Sequence, residues 1–288
     1  MSVEITSEPL SKLTTFGIGG QTDVIIVSCA SQLSKVVRRL AKDGRKVAIV
    51  GNGSNILASD KGFDGVVVIT KWMMGAEWRI RDGKVIIKAD CGVSLQKLAK
   101  DAYERGFTGL EWAEGIPATI GGAIVGNAGA FGGYIADVVK SVKTTCGTYS
   151  NKKCEFDYRN SIFKRNSEVV LKAELQLKEG DKKKIGEKMC EYAKRRMTAQ
   201  PTGKSAGSIF KKHIDEGGNI IPAGKLIETA GLKGFKIGGA VISEKHANFI
   251  INEDNATAKD VLTLIKTIIV EVERVHGITL EPEIVYLG

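Results

Sequence analysis

"KVAIVGNGSNILASDKGFDGVVVIT", residues 46–70, sets two apolar runs on either side of a loop made of glycine, asparagine and serine. Short apolar runs bounded by turn residues predict buried strands. Between them Gly51, Asn52, Gly53, Ser54 and Asn55 make a loop that can bring backbone N–H groups close to a ligand. Upstream, "TDVIIVS" (22–28) predicts a strand and "ASQLSKVVRRLAKDG" (30–44) an amphipathic helix stopped at Gly44, so the chain opens as β-α-β.

Downstream, "GVVVIT" and "WRIRDGKVIIKAD" predict strands, with Asp82-Gly83 as a hairpin turn. "SLQKLAKDAYERG" predicts a helix with Leu95, Leu98, Ala99, Ala102 and Tyr103 on one face, followed by a glycine-dense region from Gly109 to Gly133. "SEVVLKAELQLKEG" resumes strand character, and "DKKKIGEKMCEYAKRRMTAQP" predicts a helix ended by Pro201. From Gly203 the chain is again rich in glycine and short elements. A long helix over 256–277 follows, with Val261, Ile265, Ile268, Val272 and Val275 as its apolar stripe, and "ITLEPEIVYLG" is a last strand. These changes of texture place boundaries near 67 and 200.

A chain of 288 residues, 43% hydrophobic and 26% charged, has the composition of a globular protein. Its apolar runs are shorter than the ~20 residues that span a bilayer, and "MSVEITSEPLSK" lacks the apolar centre of a signal peptide, so a cytoplasmic location is expected. Five cysteines, Cys29, Cys91, Cys146, Cys154 and Cys190, stand singly with no CxxC pair, which suggests neither a zinc site nor a disulfide framework. The net charge of +9 is spread through stretches such as "KEGDKKKIGEK" among acids, with no helix-turn-helix or zinc-finger signature. A basic excess also draws in small anions such as nucleotides, so charge alone does not separate a nucleic-acid module from a nucleotide enzyme.

"EGIPATIGGAIVGNAGAFGG" (114–133) holds seven glycines in twenty residues. Such density in an apolar context implies close backbone approach to another surface. Together with "GNGSN" it suggests two walls of a phosphate-rich cofactor site, whereas either loop taken singly is better read as a tight packing turn. No GxxxxGK[ST] is present, and "GNGSNI" lacks the third glycine, the following helix and the acidic partner of a dinucleotide fingerprint. A P-loop NTPase and a simple Rossmann dehydrogenase are therefore disfavoured.

Seven segments in one order carry a resemblance across nearly the whole chain: "LTTFGIGGQTDVIIV" (13–27), "VGNGSNILASDKGFDGVVV" (50–68), "GLEWAEGIPATIGGAIVGNAGAFGG" (109–133), "YRNSIFK" (158–164), "SAGSIFK" (205–211), "AGKLIETAGLKGFKIGGAVISEKHANFIIN" (223–252) and "LEPEIVYLG" (280–288). They are similar to the UDP-N-acetylenolpyruvoylglucosamine reductase family, in its shorter form. The resemblance implies an α+β chain with an FAD-binding fold of the vanillyl-alcohol-oxidase/p-cresol methylhydroxylase type. Its two subdomains would be 1–67, to which the strand 280–288 returns, and 68–200, followed by an α/β substrate-binding domain over 201–288. It further implies that NADPH reduces FAD and that the flavin then reduces the enolpyruvyl ether of a UDP-sugar. Gly51, Asn52, Gly53, Ser54 and Asn55 would hold the FAD pyrophosphate, with Gly115, Ile116, Gly121 and Gly122 on the facing wall.

Residue roles carry over by motif. Hydride delivery to an enolpyruvyl group leaves negative charge on the substrate carboxylate, and Arg159 of "YR" would hold it with its planar fork. Ser208 of "SAGS" would donate the proton, although a serine after glycine is by itself usually a turn or cap residue. Glu283 would polarise the carboxylate, which requires its acid form, and Glu281 on the same strand face is its rival. Tyr158, Lys211, Lys212 and Lys225 would contact substrate, and Arg196 is a further diphosphate or carboxylate contact, the cations each balanced by a reading as solvated surface. His246 resembles a position near flavin or substrate and reads equally as a packed histidine. Gly17, Ala118 and Lys204 depart from the family pattern. The expected partners are the UDP-sugar and NADPH, with no nucleic acid, membrane or metal, and the default oligomeric state is a monomer. Two alternatives stay open: an oxidase of the same fold acting on another alcohol or sugar, and a noncatalytic basic nucleotide- or nucleic-acid-binding module.

Overall fold

The structure is a computed structural model that describes residues 4–288; the first three residues of the N-terminal stretch read above lie outside it. The described chain divides into two compact units, the first made of 4–6, Val24–Asn52 and Gly65–Thr198 and the second of Ser7–Asp23, Gly53–Asp64 and Ala199–Gly288. The loop quoted first thus contributes Gly51 and Asn52 to one unit and Gly53, Ser54 and Asn55 to the other.

In the first unit the strands Val47–Val50 and Val66–Ile69 run parallel, with Val47 opposite Val66 and Val50 opposite Ile69. All four residues of Val66–Ile69 are buried, the pattern of a parallel strand covered on both faces. Helix α1 (Ala30–Lys42) turns Leu33, Val36 and Leu40 into the core. A second, antiparallel sheet begins at Ala76, so the change of sheet falls at residues 70–75, a few residues after the division placed at 67. Its strands are ordered Thr148–Ser150, Val139–Thr144, Val170–Glu179, Lys84–Asp90 and Ala76–Arg81, with Phe107–Thr108 also paired to Val170–Glu179. Pairs such as Leu175 with Ile87 and Ala173 with Ala89 stand opposite each other, so alternate residues build one buried face. The hairpin turn at Asp82-Gly83 has both φ values positive, at 49° and 68°, which suits the twist of a two-residue loop. Helix α2 (Leu95–Glu104) is capped by Ser94 accepting from Lys97 N at 3.3 Å and buries Leu95, Leu98, Ala99 and Ala102. The short helix α3 (Ile120–Val125) and the long α4 (Lys182–Ala199) complete this unit, and α4 buries only Ile185 and Met189.

The second unit packs α5 (Ala223–Thr229) and α6 (Ala258–His276) with an antiparallel sheet of Lys236–Ile237, Ala240–Ile242 and Ile250–Asn252. The α6 start combines a Thr257/Asp260 capping box with Asp60, whose carboxylate accepts from Ala258 N at 2.7 Å and Lys259 N at 3.2 Å. Val261, Ile265, Ile268 and Val272 are buried as the stripe predicts, joined by Leu264, but Val275 is 42% exposed, because it lies in the last turn before Gly277. The last strand is shorter than expected. Val285–Leu287 pairs in parallel with Ile56–Ala58, while residues 281–283 turn to a different neighbour, with Pro282 bridged to Phe210. Among the described residues no helix is long and apolar enough to cross a membrane.

Candidate active site

The two glycine-rich stretches meet within the first unit. A Cβ on Gly51 would lie 2.3 Å from Thr119 Oγ1, and Asn52 donates from Nδ2 to the Pro117 carbonyl at 3.1 Å. The amides at the start of α3 are taken within the chain: Ile120 N donates to Val93 O at 2.8 Å, Gly121 N to Cys91 O at 2.7 Å and Gly122 N to Thr119 Oγ1 at 3.3 Å. Gly121 serves close packing, since a Cβ there would come within 2.9 Å of the Cys91 Cβ. That thiol is inert, its pKa pushed up to about 12 by burial. By contrast, no acceptor among the described residues takes the backbone N–H of Asn52, Gly53, Ser54 or Asn55. Clustered unpaired amides in a turn form a concavity that suits an anion, which fits the pyrophosphate of FAD.

A second feature of this unit fits an anionic group. Gly115, at φ 74°, lies against the Arg196 stem, whose Cδ would be 2.8 Å from an added Cβ. Arg196 donates from Nε to the Glu114 carbonyl at 2.6 Å and sits 5.0 Å over the Phe131 ring, which stacks on Tyr192 at 4.4 Å. Its Nη2 is buried with no partner among the described residues. Desolvation lowers the pKa of this guanidinium, opposed by the charge of Glu114. An orphaned guanidinium N–H beside the Gly115–Ile116 turn is a donor waiting for an oxygen.

Arg159 occupies a left-handed position, φ 53°, in a turn closed by Asp157 N to Asn160 O at 3.1 Å and Asn160 N to Asp157 O at 3.0 Å. For a residue other than glycine this costs about 1–2 kcal/mol, and it persists because neighbours fix the turn. Asn127, buried and itself at φ 40°, donates from Nδ2 to Asp157 O at 2.8 Å and accepts at Oδ1 from Ala136 N at 3.3 Å. Ser161 Oγ donates to Val125 O at 2.8 Å, and Lys164 Nζ to Arg159 O at 2.6 Å. The guanidinium donates from Nη1 to Gly129 O at 3.3 Å and lies 5.4 Å from the half-buried Tyr158 ring. Sequence reasoning missed Asn127, and the only available signal was its place inside the glycine-dense stretch.

In the second unit, residues 208–211 run between 248–249 and 281–283. Ser208 is bridged to Phe249, Phe210 to Pro282, Ile209 N donates to Asn248 O at 2.9 Å, and Glu283 N donates to Ile209 O at 2.7 Å. The half-buried Ser208 hydroxyl bonds to no described residue. The same unit ties in its part of the 51–55 loop: Asn55 Nδ2 donates to Glu283 O at 3.3 Å, Val285 N to Asn55 O at 3.0 Å, and Thr15 reaches both Gly53 O through its N–H, at 3.2 Å, and Ser205 O through its hydroxyl, at 2.7 Å. Ser208, Glu283 and Gly53–Asn55 are thus brought together. Glu281, the rival acid, is exposed and ion-paired with Lys211. Lys212 is half-buried, and Lys225 is exposed on α5. His246 stands edge-on to Phe249, accepts at Nδ1 from Asn248 N at 3.2 Å, and has its pKa lowered by burial. Two departures compensate each other: at Gly17, φ 67°, an added Cβ would lie 2.9 Å from the Lys204 stem. Arg159 and Arg196 belong to the first unit, and Ser208 and Glu283 to the second.

Comparison with known proteins agrees with both units. Residues 23–148 match the family described as FAD binding domain, and residues 199–287 match the UDP-N-acetylenolpyruvoylglucosamine reductase C-terminal domain. The chain is 42% identical over 291 residues to the UDP-N-acetylenolpyruvoylglucosamine reductase of Carboxydothermus hydrogenoformans, covering 99% of this chain and 94% of that one. It is 39% identical to the enzyme of the same name from Clostridioides difficile, covering 98% and 92%. The crystal structure of UDP-N-acetylenolpyruvylglucosamine reductase (MurB) from Thermus caldophilus superposes with a TM-score of 0.82 at 32% identity over all of both chains. The mixed α+β architecture is therefore an FAD-binding fold joined to a reductase-type C-terminal domain, and the chain belongs to the UDP-N-acetylenolpyruvoylglucosamine reductase family.

Proposed function

We propose that this chain is an FAD-dependent oxidoreductase that uses NADPH to reduce UDP-N-acetylglucosamine enolpyruvate to UDP-N-acetylmuramate, a step of peptidoglycan precursor synthesis. Bound FAD, once reduced by NADPH, supplies hydride to the terminal carbon of the enolpyruvyl double bond. The free amides of Asn52–Asn55 hold the pyrophosphate of the cofactor, with Gly51 packed on Thr119 beneath them and Gly115, Ile116, Gly121 and Gly122 on the facing wall. Arg159, held rigid by its turn, takes the negative charge that develops on the substrate carboxylate. Ser208 delivers a proton to the other carbon, and Glu283 in its acid form polarises the same carboxylate. Tyr158, Lys212 and Lys225 contact the substrate, and Lys211 joins them through its pair with Glu281.

The observation that supports this reading is the pairing of 209–211 with 281–283, which brings Ser208 and Glu283 onto neighbouring segments, with Asn55 bonded to Glu283 O. An oxidase of another alcohol gives no reason for those residues to form one set. A basic binding module gives no reason for near full-length identity to reductases. We further propose a cytoplasmic monomer whose +9 charge favours approach of the UDP diphosphate. The test follows NADPH absorbance under low oxygen with FAD-supplemented protein. Consumption that depends on UDP-N-acetylglucosamine enolpyruvate supports the reading; flavin reduction that stalls whatever the substrate refutes it.

A further inference from the structure

Asn248 is only 6% exposed, and its carboxamide and carbonyl bond to the residues that follow Ser208. Its Oδ1 accepts from Phe210 N at 2.9 Å, its Nδ2 donates to Phe210 O at 2.9 Å, and its carbonyl accepts from Ile209 N at 2.9 Å. One side chain therefore stands where the peptide unit of a neighbouring strand would stand, and grips the two residues that follow Ser208. Phe210 is 1% exposed, so water does not replace those bonds. On the other side of Ser208 lies Gly207, at φ 76°, where an added Cβ would meet nothing within 4 Å. The chain is anchored again at Lys204 O, by Asn252 N at 2.9 Å, and at Ser205 O, by the Thr15 hydroxyl at 2.7 Å, so Gly207 is the joint between that anchor and Ser208. The segment 281–283 holds the other edge through Glu283 N to Ile209 O at 2.7 Å and Lys211 N to Glu281 O at 2.9 Å, both backbone bonds. Asn248 is the side chain that fixes the register of the residues after Ser208.

We propose that Asn248 is a positioning residue for the proton-transfer step: its carboxamide fixes the strand that aims the Ser208 hydroxyl. This rests on the reading of Ser208 as proton donor. A donor displaced by a fraction of an ångström loses rate while cofactor and substrate still bind. The effect therefore belongs to one half-reaction only.

The test compares Asn248→Ala and the isosteric Asn248→Asp with the intact holoenzyme, measuring anaerobic flavin reduction by NADPH and reoxidation by UDP-N-acetylglucosamine enolpyruvate separately. Reoxidation slows by about tenfold or more in Asn248→Ala and less in Asn248→Asp, which keeps the acceptor for Phe210 N, while flavin reduction stays within about twofold. Unchanged reoxidation in the variants, or equal loss in both half-reactions, overturns the positioning role. Ser208→Ala runs in parallel: if it reoxidises normally, the proton-donor reading fails, whereas its slowing beside a normal Asn248→Ala sinks only this inference. Amide exchange in the unmodified protein gives a check independent of variant folding. The Phe210 N–H must be protected, and rapid exchange there refutes the grip.

Discussion

Replacing Ser208 by alanine separates chemistry from structure cleanly. The segment around it is held by backbone and by Asn248: the bridge to Phe249, Ile209 N to Asn248 O at 2.9 Å and Glu283 N to Ile209 O at 2.7 Å all survive the loss of one oxygen. The hydroxyl bonds to no described residue, so removing it leaves no partner stranded. Stability should then move by no more than about 0.5 kcal/mol, the range of a surface substitution. Catalysis answers differently. General acid contributions run to about 10²–10⁴-fold, and at about 1.36 kcal/mol per decade that is roughly 2.7–5.4 kcal/mol on the barrier of the step that uses the proton. Reduction of flavin by NADPH needs no proton from Ser208, so it should proceed at its normal rate. The assay is anaerobic mixing followed by flavin absorbance, first with NADPH and then with the enolpyruvyl substrate, beside a thermal melt. Equal slowing of both half-reactions, or a melt displaced as for a core mutation, would refute the reasoning.

Other outcomes follow from the same geometry. Arg159→Ala should slow reoxidation by about 10²–10³-fold and leave flavin reduction intact, because charge develops on the carboxylate only in the second half-reaction; unimpaired reoxidation would remove the role. Gly51→Ala places a Cβ 2.3 Å from Thr119 Oγ1, so the loop or Thr119 must shift at about 1–3 kcal/mol, and the purified protein should retain less flavin; full flavin retention would contradict the packing argument. His246 is buried with its pKa lowered from the ordinary 6.5. Folding then favours the neutral ring, so its contribution to stability is complete above that value and is lost as pH falls through the folded pKa. His246→Gln should flatten this acid limb of a denaturation profile, and an unchanged limb would show that the ring titrates as it does in the unfolded chain.

Much of the fold was legible because its signals are local. Periodicity located α1, α2, α4 and α6 to within a few residues, and Asp82-Gly83 announced its hairpin through residues that tolerate positive φ. Val275 was misplaced because a helical stripe says nothing about where the covering surface stops, and the last strand was overextended because periodicity does not show that 281–283 and 285–287 pair with different neighbours. Glu281 and Glu283 looked alike as two acids on one strand face; the ion pair of Glu281 with Lys211 and the bond from Asn55 Nδ2 to Glu283 O tell them apart, and both partners are distant in sequence.

By itself, then, the sequence determined the types of element, the presence of two glycine-rich stretches and, through ordered motifs, the family and the identities of Arg159, Ser208 and Glu283 as candidates. These depend on spacing along the chain and on the chemistry of single side chains. The tertiary structure alone decided which amides are spent and which are open. It left the α3 amides bonded and those of Asn52–Asn55 free, gave Arg196 an orphaned Nη2, held Arg159 at φ 53°, and set the Asn248 carboxamide against Phe210 across 38 residues. The reason is physical: a hydrogen-bond partner is defined by distance in space, and hydrophobic periodicity specifies which face of an element is buried without specifying what it is buried against.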